Sequence, residues 1–230
     1  MGTLVQVPTP LYQAATATTI AQAFASDVVA GNVIVASIQS YSTTVTVTGV
    51  TATAGRNITF TQVGTLLRST TDTPNPFLTV WIGTVSTSGP CTVTGTYSAT
   101  VIDRTISIWE ISNVAEAGAL TNGAVGNNTA AASGNITLSR PGFAIKVTNE
   151  FIWTTHNQAA GTPTTGWTEV GDNATGFDSA WQNWTTGPGT VNGEFTLGTT
   201  TSWCCRMVAM LDVTEFVFHQ AVYRGRERGR

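Results

Sequence analysis

The chain has 230 residues, of which only 10% are charged, and its 10 basic and 13 acidic side chains give a formal net charge of −3. A hydrophobic content of 41% with so little net charge excludes a disordered chain. The body of the chain, residues 1–215, carries six basic and twelve acidic side chains, whereas residues 216–230 carry four arginines and one glutamate. No cluster of basic residues in this acidic body predicts a nucleic-acid-binding face. Threonine occurs 44 times and lysine once. Because a β-branched residue with an uncharged hydroxyl suits the solvent face of a sheet, this composition predicts an all-β fold.

The N-terminal residues carry neither a basic segment nor an apolar stretch of signal-peptide length. No apolar run approaches the roughly 18 residues that span a bilayer. We therefore expect a protein without a signal peptide that is made and assembled in a cytoplasm, and that has no membrane partner.

The first half of the chain reads as strands. Residues 13–24 contain alanines, but their β-branched residues disfavour a helix and predict an extended or irregular segment. After a turn at Ala30-Gly31-Asn32, the nearly continuous apolar run 33–38 predicts a strand covered on both faces. Residues 44–48 alternate threonine with valine, which predicts valine facing inward.

Further strands are predicted where apolar residues alternate or cluster: 57–63, 77–82, 91–97, 105–111, 135–138, 143–147 and 202–211. Turn residues recur about every 8–12 positions, as is typical of a sandwich or barrel. The small, polar and glycine-rich residues 115–133 are instead predicted to form a loop. That loop is too short for a domain linker, so the sequence favours one domain.

Three cysteines, Cys91, Cys204 and Cys205, are too few for a disulfide framework. Adjacent strand residues point to opposite faces, so we expect Cys204 and Cys205 to pack as small apolar groups on opposite sides of a sheet.

The order of the segments resembles a group of jelly-roll domains found in bacteriophage virion proteins and some bacterial surface proteins. The similarity is carried by the Ala30-Gly31-Asn32 turn and the strand after it, by residues 55–60 and 79–82, and by residues 108–114. This last segment matches an aromatic-Glu-x-Ser-Gly-Val pattern, with Asn113 in place of glycine, and the resemblance covers roughly residues 28–212. It implies a jelly-roll protein of a phage particle, either a head decoration protein or a minor tail component.

Candidate catalytic groups are scarce. His156 and His219 stand in no metal-binding or nucleophile motif. Glu110 and Glu194 are the glutamates on which a hydrolase would depend, but no spacing pairs them, and alternation within its strand predicts that Glu110 faces the surface. Residues 172–178 have the oxygen ligands of a calcium loop but fail the EF-hand template, which favours an Asx turn. We predict no catalytic residue, no metal site and no cofactor.

Aromatic residues are the best candidates for ligand binding. Trp167, Trp181 and Trp184 lie near glycine-rich turns, and an indole offers both a flat apolar face and a polar N–H to a sugar ring. Trp181 and Trp184 are three positions apart, so in a strand they face opposite sides and at least one belongs to the core. A lectin-like module that recognises a host-surface glycan is therefore the alternative function.

The C-terminal residues are both basic and apolar. The candidate assembly residues are Phe216, Phe218, Tyr223, Arg224, Arg226, Arg228 and Arg230. An apolar, strand-like stretch can pair with the exposed sheet edge of a neighbouring subunit, and its arginines can meet an acidic body. A frayed, solvated terminus is the alternative interpretation.

These observations predict an antiparallel, jelly-roll-like β-sandwich at residues 28–214. It is flanked by an extended arm and first strand at 1–27 and by a basic C-terminal arm at 215–230. The predicted function is that of a non-catalytic virion protein, and its predicted partners are copies of itself and other virion subunits.

Overall fold

The computed structural model describes residues 1–71, 75–117, 119–139, 141–150, 162–163, 165–170, 177–185 and 188–213. The strands are β1 Thr3–Gln6, β2 Leu11–Gln13, β3 Ala17–Ala23, β4 Val33–Tyr41, β5 Val47–Ala52, β6 Thr61–Gln62, β7 Leu67–Arg68, β8 Pro76–Thr84, β9 Thr92–Val101, β10 Arg104–Ser112, β11 Leu120–Leu138, β12 Gly142–Glu150, β13 Thr162–Pro163, β14 Thr168–Glu169, β15 Phe177–Trp184 and β16 Gly189–Leu211. The prediction of an all-β chain is confirmed.

The strands form three antiparallel sheets. The central sheet has the order β1-β10-β4-β8-β6, with β2 beside β10 and β7 beside β8. The small sheet is β3-β9-β5. The C-terminal sheet has the order β11-β16-β12-β15-β14, with β13 beside β16. Their stacking makes an antiparallel sandwich with more than one core layer, and the jelly-roll arrangement within it stays a prediction.

The central sheet is covered on both faces. Alternate residues of β4 enter two different cores: Ile34 packs with Val93 of the small sheet, whereas Val35 packs with Ile145 of the C-terminal sheet. Every residue from Val33 to Ser40 is buried as a result. The prediction from the continuous apolar run 33–38 is therefore confirmed, because a strand with two buried faces needs no polar alternation.

The small sheet has one wet face, and its sequence alternates accordingly. Val45 and Val47 are buried, whereas Thr44, Thr46 and Thr48 are exposed, as predicted. Residues 13–24, predicted to be extended or irregular, contain β3, which pairs with β9. The first 27 residues hold two further strands, and both β1 and β2 pair with β10.

The segment 57–63 is a strand only at β6, so the longer predicted strand is wrong. Asn57 has a φ of 50°, in the left-handed region, which breaks the extended conformation. Ile58 and Phe60 then pack against the core between the central and small sheets. The apolar residues alternate in this segment because Ile58 and Phe60 anchor a loop to that core. Pairing with β8 begins only at Thr61.

The C-terminal sheet folds over itself. β11 pairs with β16 along most of its length, and register irregularities fall between Asn128 and Ala130 and between Ala132 and Asn135. Beyond them, side chains from residues 130–138 and 189–197 pack on Ala144, Met207 and other residues of the sheet's own outer face. The far half of this hairpin thus forms an additional layer, and it creates the surface described below as the candidate site.

The predicted loop 115–133 is largely strand, and that prediction is wrong. β11 contains glycine and alanine because neighbouring side chains lie across its backbone: a Cβ on Gly126 would stand 2.5 Å from the Trp203 indole, and one on Gly123 would stand 2.8 Å from Leu67. A glycine-rich segment is typical of a loop, but here glycine makes room for bulky side chains of other strands.

Replacing Gly126 with alanine is expected to destabilise the protein by about 1–3 kcal/mol, because the new methyl group overlaps the buried Trp203 ring. The matched control is Gly49→Ala on β5, where an added Cβ meets no atom within 4 Å. Chemical denaturation followed by tryptophan fluorescence measures both. Equal stabilities for the two variants would contradict this account of the β11 composition.

The cysteines behave as predicted. None of the three forms a disulfide and all are buried, Cys204 in the core that faces the central sheet and Cys205 in the opposite layer. The Cys204 thiol donates to the carbonyl oxygen of Pro76 at 3.1 Å, and the Cys205 thiol donates to that of Gly193 at 3.4 Å. Burial raises the pKa of both thiols to about 12. They are consequently protonated packing groups with little nucleophilic character at neutral pH.

Candidate functional site

Two of the three candidate tryptophans line one open groove, which we call the indole groove. Trp167 and Trp184 lie in its wall, and its volume is about 680 Å³. Trp181 faces the other side of β15, where it stacks on Phe143 with 5.4 Å between ring centroids and 7° between planes. The prediction that Trp181 and Trp184 face opposite sides is confirmed, and the half-buried Trp181 packs against the core.

The position of Trp184 depends on the chain that returns after β15. A Cβ on Gly189 would overlap the Trp184 indole, so the ring lies directly against the glycine backbone. This contact holds one edge of the half-buried indole while the side chain still borders the groove. Glycine at this point therefore lets an aromatic side chain lie flat beside the far half of the β11–β16 hairpin.

The groove surrounds its two indoles with neutral polar groups. Its lining residues on the folded-over strands and nearby loops are Thr162, Pro163, Thr165, Gln182, Thr190, Val191, Asn192 and Thr196. Gln182 lies two positions from Trp184 and therefore on the same strand face, so the alternation of strand residues could have predicted Gln182 as a lining residue. Asn192 comes from the bent part of β16, and no local pattern connects it to the tryptophans.

Beneath the groove lies Lys146, the single lysine of the chain, with no exposed surface. Its Nζ donates to the carbonyl oxygen of Glu194 at 2.5 Å and stands 4.4 Å from the ring centroid of Trp167 and 4.6 Å from that of Phe195. Burial lowers the pKa of this ammonium group to about 8, opposed by Cys205 and Glu194. Trp167 is thus held from behind by a cation–π contact.

Glu110 is fully buried, and the predicted surface-facing position is wrong. Its Oε1 accepts hydrogen bonds from the Val29 backbone N–H at 2.8 Å and from the Asn32 amide at 2.6 Å, and its Oε2 accepts one from Gln6 at 2.6 Å. Alternation failed because it assumes a wet sheet face, and the central sheet has none here. The carboxylate ties β1 and the loop before β4 to β10.

This contact also joins two of the segments that carry the resemblance. Asn32 ends the Ala-Gly-Asn turn, and Glu110 is the acidic residue of the segment 108–114. The two residues lie 78 positions apart in sequence, so neither segment by itself indicates the other. Their hydrogen bond gives both motifs a structural role, because it fixes the position of the turn that precedes β4.

A second groove borders an edge of the central sheet, and we call it the edge groove. Its volume is about 740 Å³, and its lining residues come from β6, β8, the start of β11 and the segments after β6 and β10. The apolar ones are Val63, Ile82, Val114, Ala115, Ala117 and Ala119, and the others are Thr61, Gln62, Gly64, Thr84, Glu116 and Thr121. β6 pairs with β8, and no other strand of the described residues continues the sheet beyond it. The groove therefore lies beside an open sheet edge.

Several predicted residues lie outside the described part of the chain. They are His156, His219, most of the calcium-like segment 172–178, and the assembly residues Phe216, Phe218, Tyr223, Arg224, Arg226, Arg228 and Arg230. Asp178 of that segment is described, and it is buried on β15. The described chain ends at Val213, whose N–H donates to the carbonyl oxygen of Asn113 at 3.1 Å, next to the edge groove.

The chain matches no protein-family model, and no curated protein or solved structure is significantly similar to it. Among the residues that the structure describes, no three potential ligands from histidine, cysteine, aspartate and glutamate cluster as a metal site would require. No helix within the same residues has the length and hydropathy to cross a bilayer.

Proposed function

We propose that this chain is a non-catalytic structural protein of a bacteriophage particle, either a head decoration protein or a minor tail component. It assembles in the host cytoplasm with copies of itself and with other virion subunits, through sheet edges, loops and its terminal arms. We propose the virion as the location of the protein and the C-terminal arm as one of its contact segments.

The observation that carries the proposal is the edge groove. The outer side of β8 is paired with β6 and β7, and the backbone N–H groups of Val63 and Ser69 add hydrogen bonds to it. The open edge of this sheet is therefore that of β6, which has two residues and no further partner strand among the described residues. An open edge beside apolar side chains is suited to receive an extended segment, because main-chain hydrogen bonds supply affinity and side-chain pockets supply specificity.

The use of ionisable groups supports a structural role. Arg206 is buried and donates to the Thr65 carbonyl oxygen at 2.5 Å and to the Thr121 hydroxyl at 3.0 Å. Arg104 is buried as well and donates to the carbonyl oxygens of Ala15 and Thr19. Together with Glu110, these charges are engaged in joining strands and loops, which is a contribution to a rigid subunit.

Assembly is tested with the purified full chain by light scattering and negative-stain imaging. We expect oligomers for the native sequence and weakened association for Ala117→Arg, because Ala117 is exposed in the edge groove and an arginine there blocks the groove and repels a basic arm. The loss in affinity is expected to be about tenfold or more. The matched control is Ala54→Arg, at an exposed position in the loop after β5.

A chain ending at Val213 provides the complementary variant, since it removes the arm but leaves the edge groove. It is expected to associate as weakly as Ala117→Arg. A native chain that stays monomeric at high concentration, and that is absent from purified phage particles by mass spectrometry, would contradict the proposed function.

A second candidate function, recognition of a carbohydrate on a host surface, is favoured by the indole groove. Two tryptophans and several amide and hydroxyl groups in one open cleft form the kind of lining that sugar rings contact, with aromatic faces for apolar C–H groups and polar groups for hydroxyls. A glycan array probed with the full chain tests it. Binding of any saccharide class supports this function, and an array without binding removes it.

A further inference from the structure

The residues that line the indole groove narrow the chemical class of ligand that it can bind. Its described lining residues are two tryptophans, one proline, one valine, four threonines, Gln182 and Asn192, with no charged side chain among them. Its volume of about 680 Å³ is within the range of about 300–1,000 Å³ that is usual for small-ligand clefts. The lining therefore offers stacking surfaces and neutral hydrogen-bonding groups.

Two charged residues, Lys146 and Glu194, lie next to this lining, and neither offers a ligand an exposed cation. The Lys146 ammonium is buried behind Trp167, and one of its hydrogens is given to the Glu194 carbonyl oxygen. Glu194 is half-buried on β16, where it shares a strand face with the lining residues Asn192 and Thr196. A carboxylate or sulfate entering the groove would lose hydration, would meet no exposed cation among the described lining residues and would lie near Glu194, which is costly.

We propose that the indole groove binds a neutral pyranose, with the sugar ring stacked on Trp184 and Trp167 and its hydroxyls bonded by Gln182 and Asn192. Primary amides suit this task because each one both donates and accepts, as sugar hydroxyls do. Trp181 takes no part, since it faces the core. The assignment rests on the second candidate function and specifies its ligand class.

The test is a titration of the full chain, followed by tryptophan fluorescence and calorimetry, with two matched sets of oligosaccharides. One set is neutral and contains glucose, galactose or mannose units. The other is anionic and contains glucuronate, sialate or sulfate groups. We expect saturable binding of a neutral sugar and weaker binding of its anionic counterpart.

Variants locate the site. Trp184→Ala is expected to weaken the binding of the neutral sugar by about tenfold or more, whereas Trp181→Phe, on the opposite face of the same strand, leaves affinity unchanged. Gln182→Ala and Asn192→Ala are expected to weaken it by about three- to tenfold each. These polar variants keep the test decisive if Trp184→Ala fails to fold.

The outcomes separate the two levels of the proposal. Preferential binding of anionic sugars would leave carbohydrate recognition in place and overturn the neutral-ligand assignment. Neutral binding that is insensitive to Trp184, Gln182 and Asn192 would overturn the groove as its location. An absence of binding by either set would overturn both this inference and the second candidate function.

Discussion

Replacing Glu110 with alanine is expected to lower the free energy of unfolding by about 3–5 kcal/mol. The substitution removes a fully buried carboxylate and leaves the Val29 N–H, the Asn32 amide and the Gln6 amide without the acceptor that each now has. It also opens a cavity between β10 and the loop before β4. Urea denaturation monitored by circular dichroism measures the loss.

The matched variant is Glu110→Gln, which retains the side-chain volume and the oxygen that faces Val29 and Asn32. Its new amide group meets the Gln6 amide, so a smaller loss of about 1–2 kcal/mol is expected. A Glu110→Ala variant within 1 kcal/mol of the native protein would contradict the role assigned to this carboxylate. The free energy of unfolding is the quantity to measure, because Glu110 contributes to the fold and not to ligand binding.

Lys146 is expected to make stability depend on pH between about 8 and 10.5. Burial lowers its folded-state pKa to about 8, whereas the unfolded chain keeps the ordinary value of 10.5. Between these values Lys146 binds a proton more readily in the unfolded chain, so the contribution of Lys146 to stability rises as the pH increases. The cost of the buried charge, about 3 kcal/mol, is present in full below pH 8 and is relieved as the pH approaches 10.5.

Lys146→Met isolates this effect, because methionine preserves the buried stem without the charge. It is expected to be about 2 kcal/mol more stable than the native protein at pH 7, after about 1 kcal/mol is deducted for the lost hydrogen bond to Glu194. That advantage should disappear by pH 10.5. Denaturation curves measured across this pH range give the difference between the two proteins.

Cys204 and Cys205 act in the opposite direction: their pKa is raised in the folded protein, so their contribution to stability falls as the pH rises above the ordinary thiol value of 9.0. Both proteins contain these thiols, so the difference between the two proteins reports on Lys146 and on its electrostatic interaction with Cys205. Lys146→Arg is the control that keeps a charge throughout the range, since a guanidinium stays protonated. The free energy of unfolding of Lys146→Arg should show no rise with pH relative to that of Lys146→Met. Parallel pH profiles for the native protein and Lys146→Met would contradict the lowered pKa.

Local sequence patterns were sufficient where a residue's environment follows from its immediate neighbours. The alternation at 44–48 predicted the buried face of a sheet with one wet side, and the continuous run 33–38 predicted a strand with two covered faces. The spacing of Trp181 and Trp184 likewise placed them on opposite faces, because successive strand residues point to opposite sides.

Patterns failed where distant strands decide the environment. Residues 115–133 look like a loop, yet β11 runs through them because Trp203, Leu67 and other side chains require small residues opposite them. The packing partner, and not the propensity of the segment, determines its composition. Glycine has the same appearance in a turn and in a crowded strand, so the sequence of this segment cannot separate the two.

The sequence by itself determined that the chain is built of strands, because threonine and apolar residues with a period of two satisfy a pleated sheet locally. Only the tertiary structure decided that Glu110 is buried, that Lys146 lies behind Trp167, and that Trp167 and Trp184 share a groove. These facts depend on the covering of one sheet by another and on the bend in β11 and β16, which are set by contacts between residues far apart in the chain.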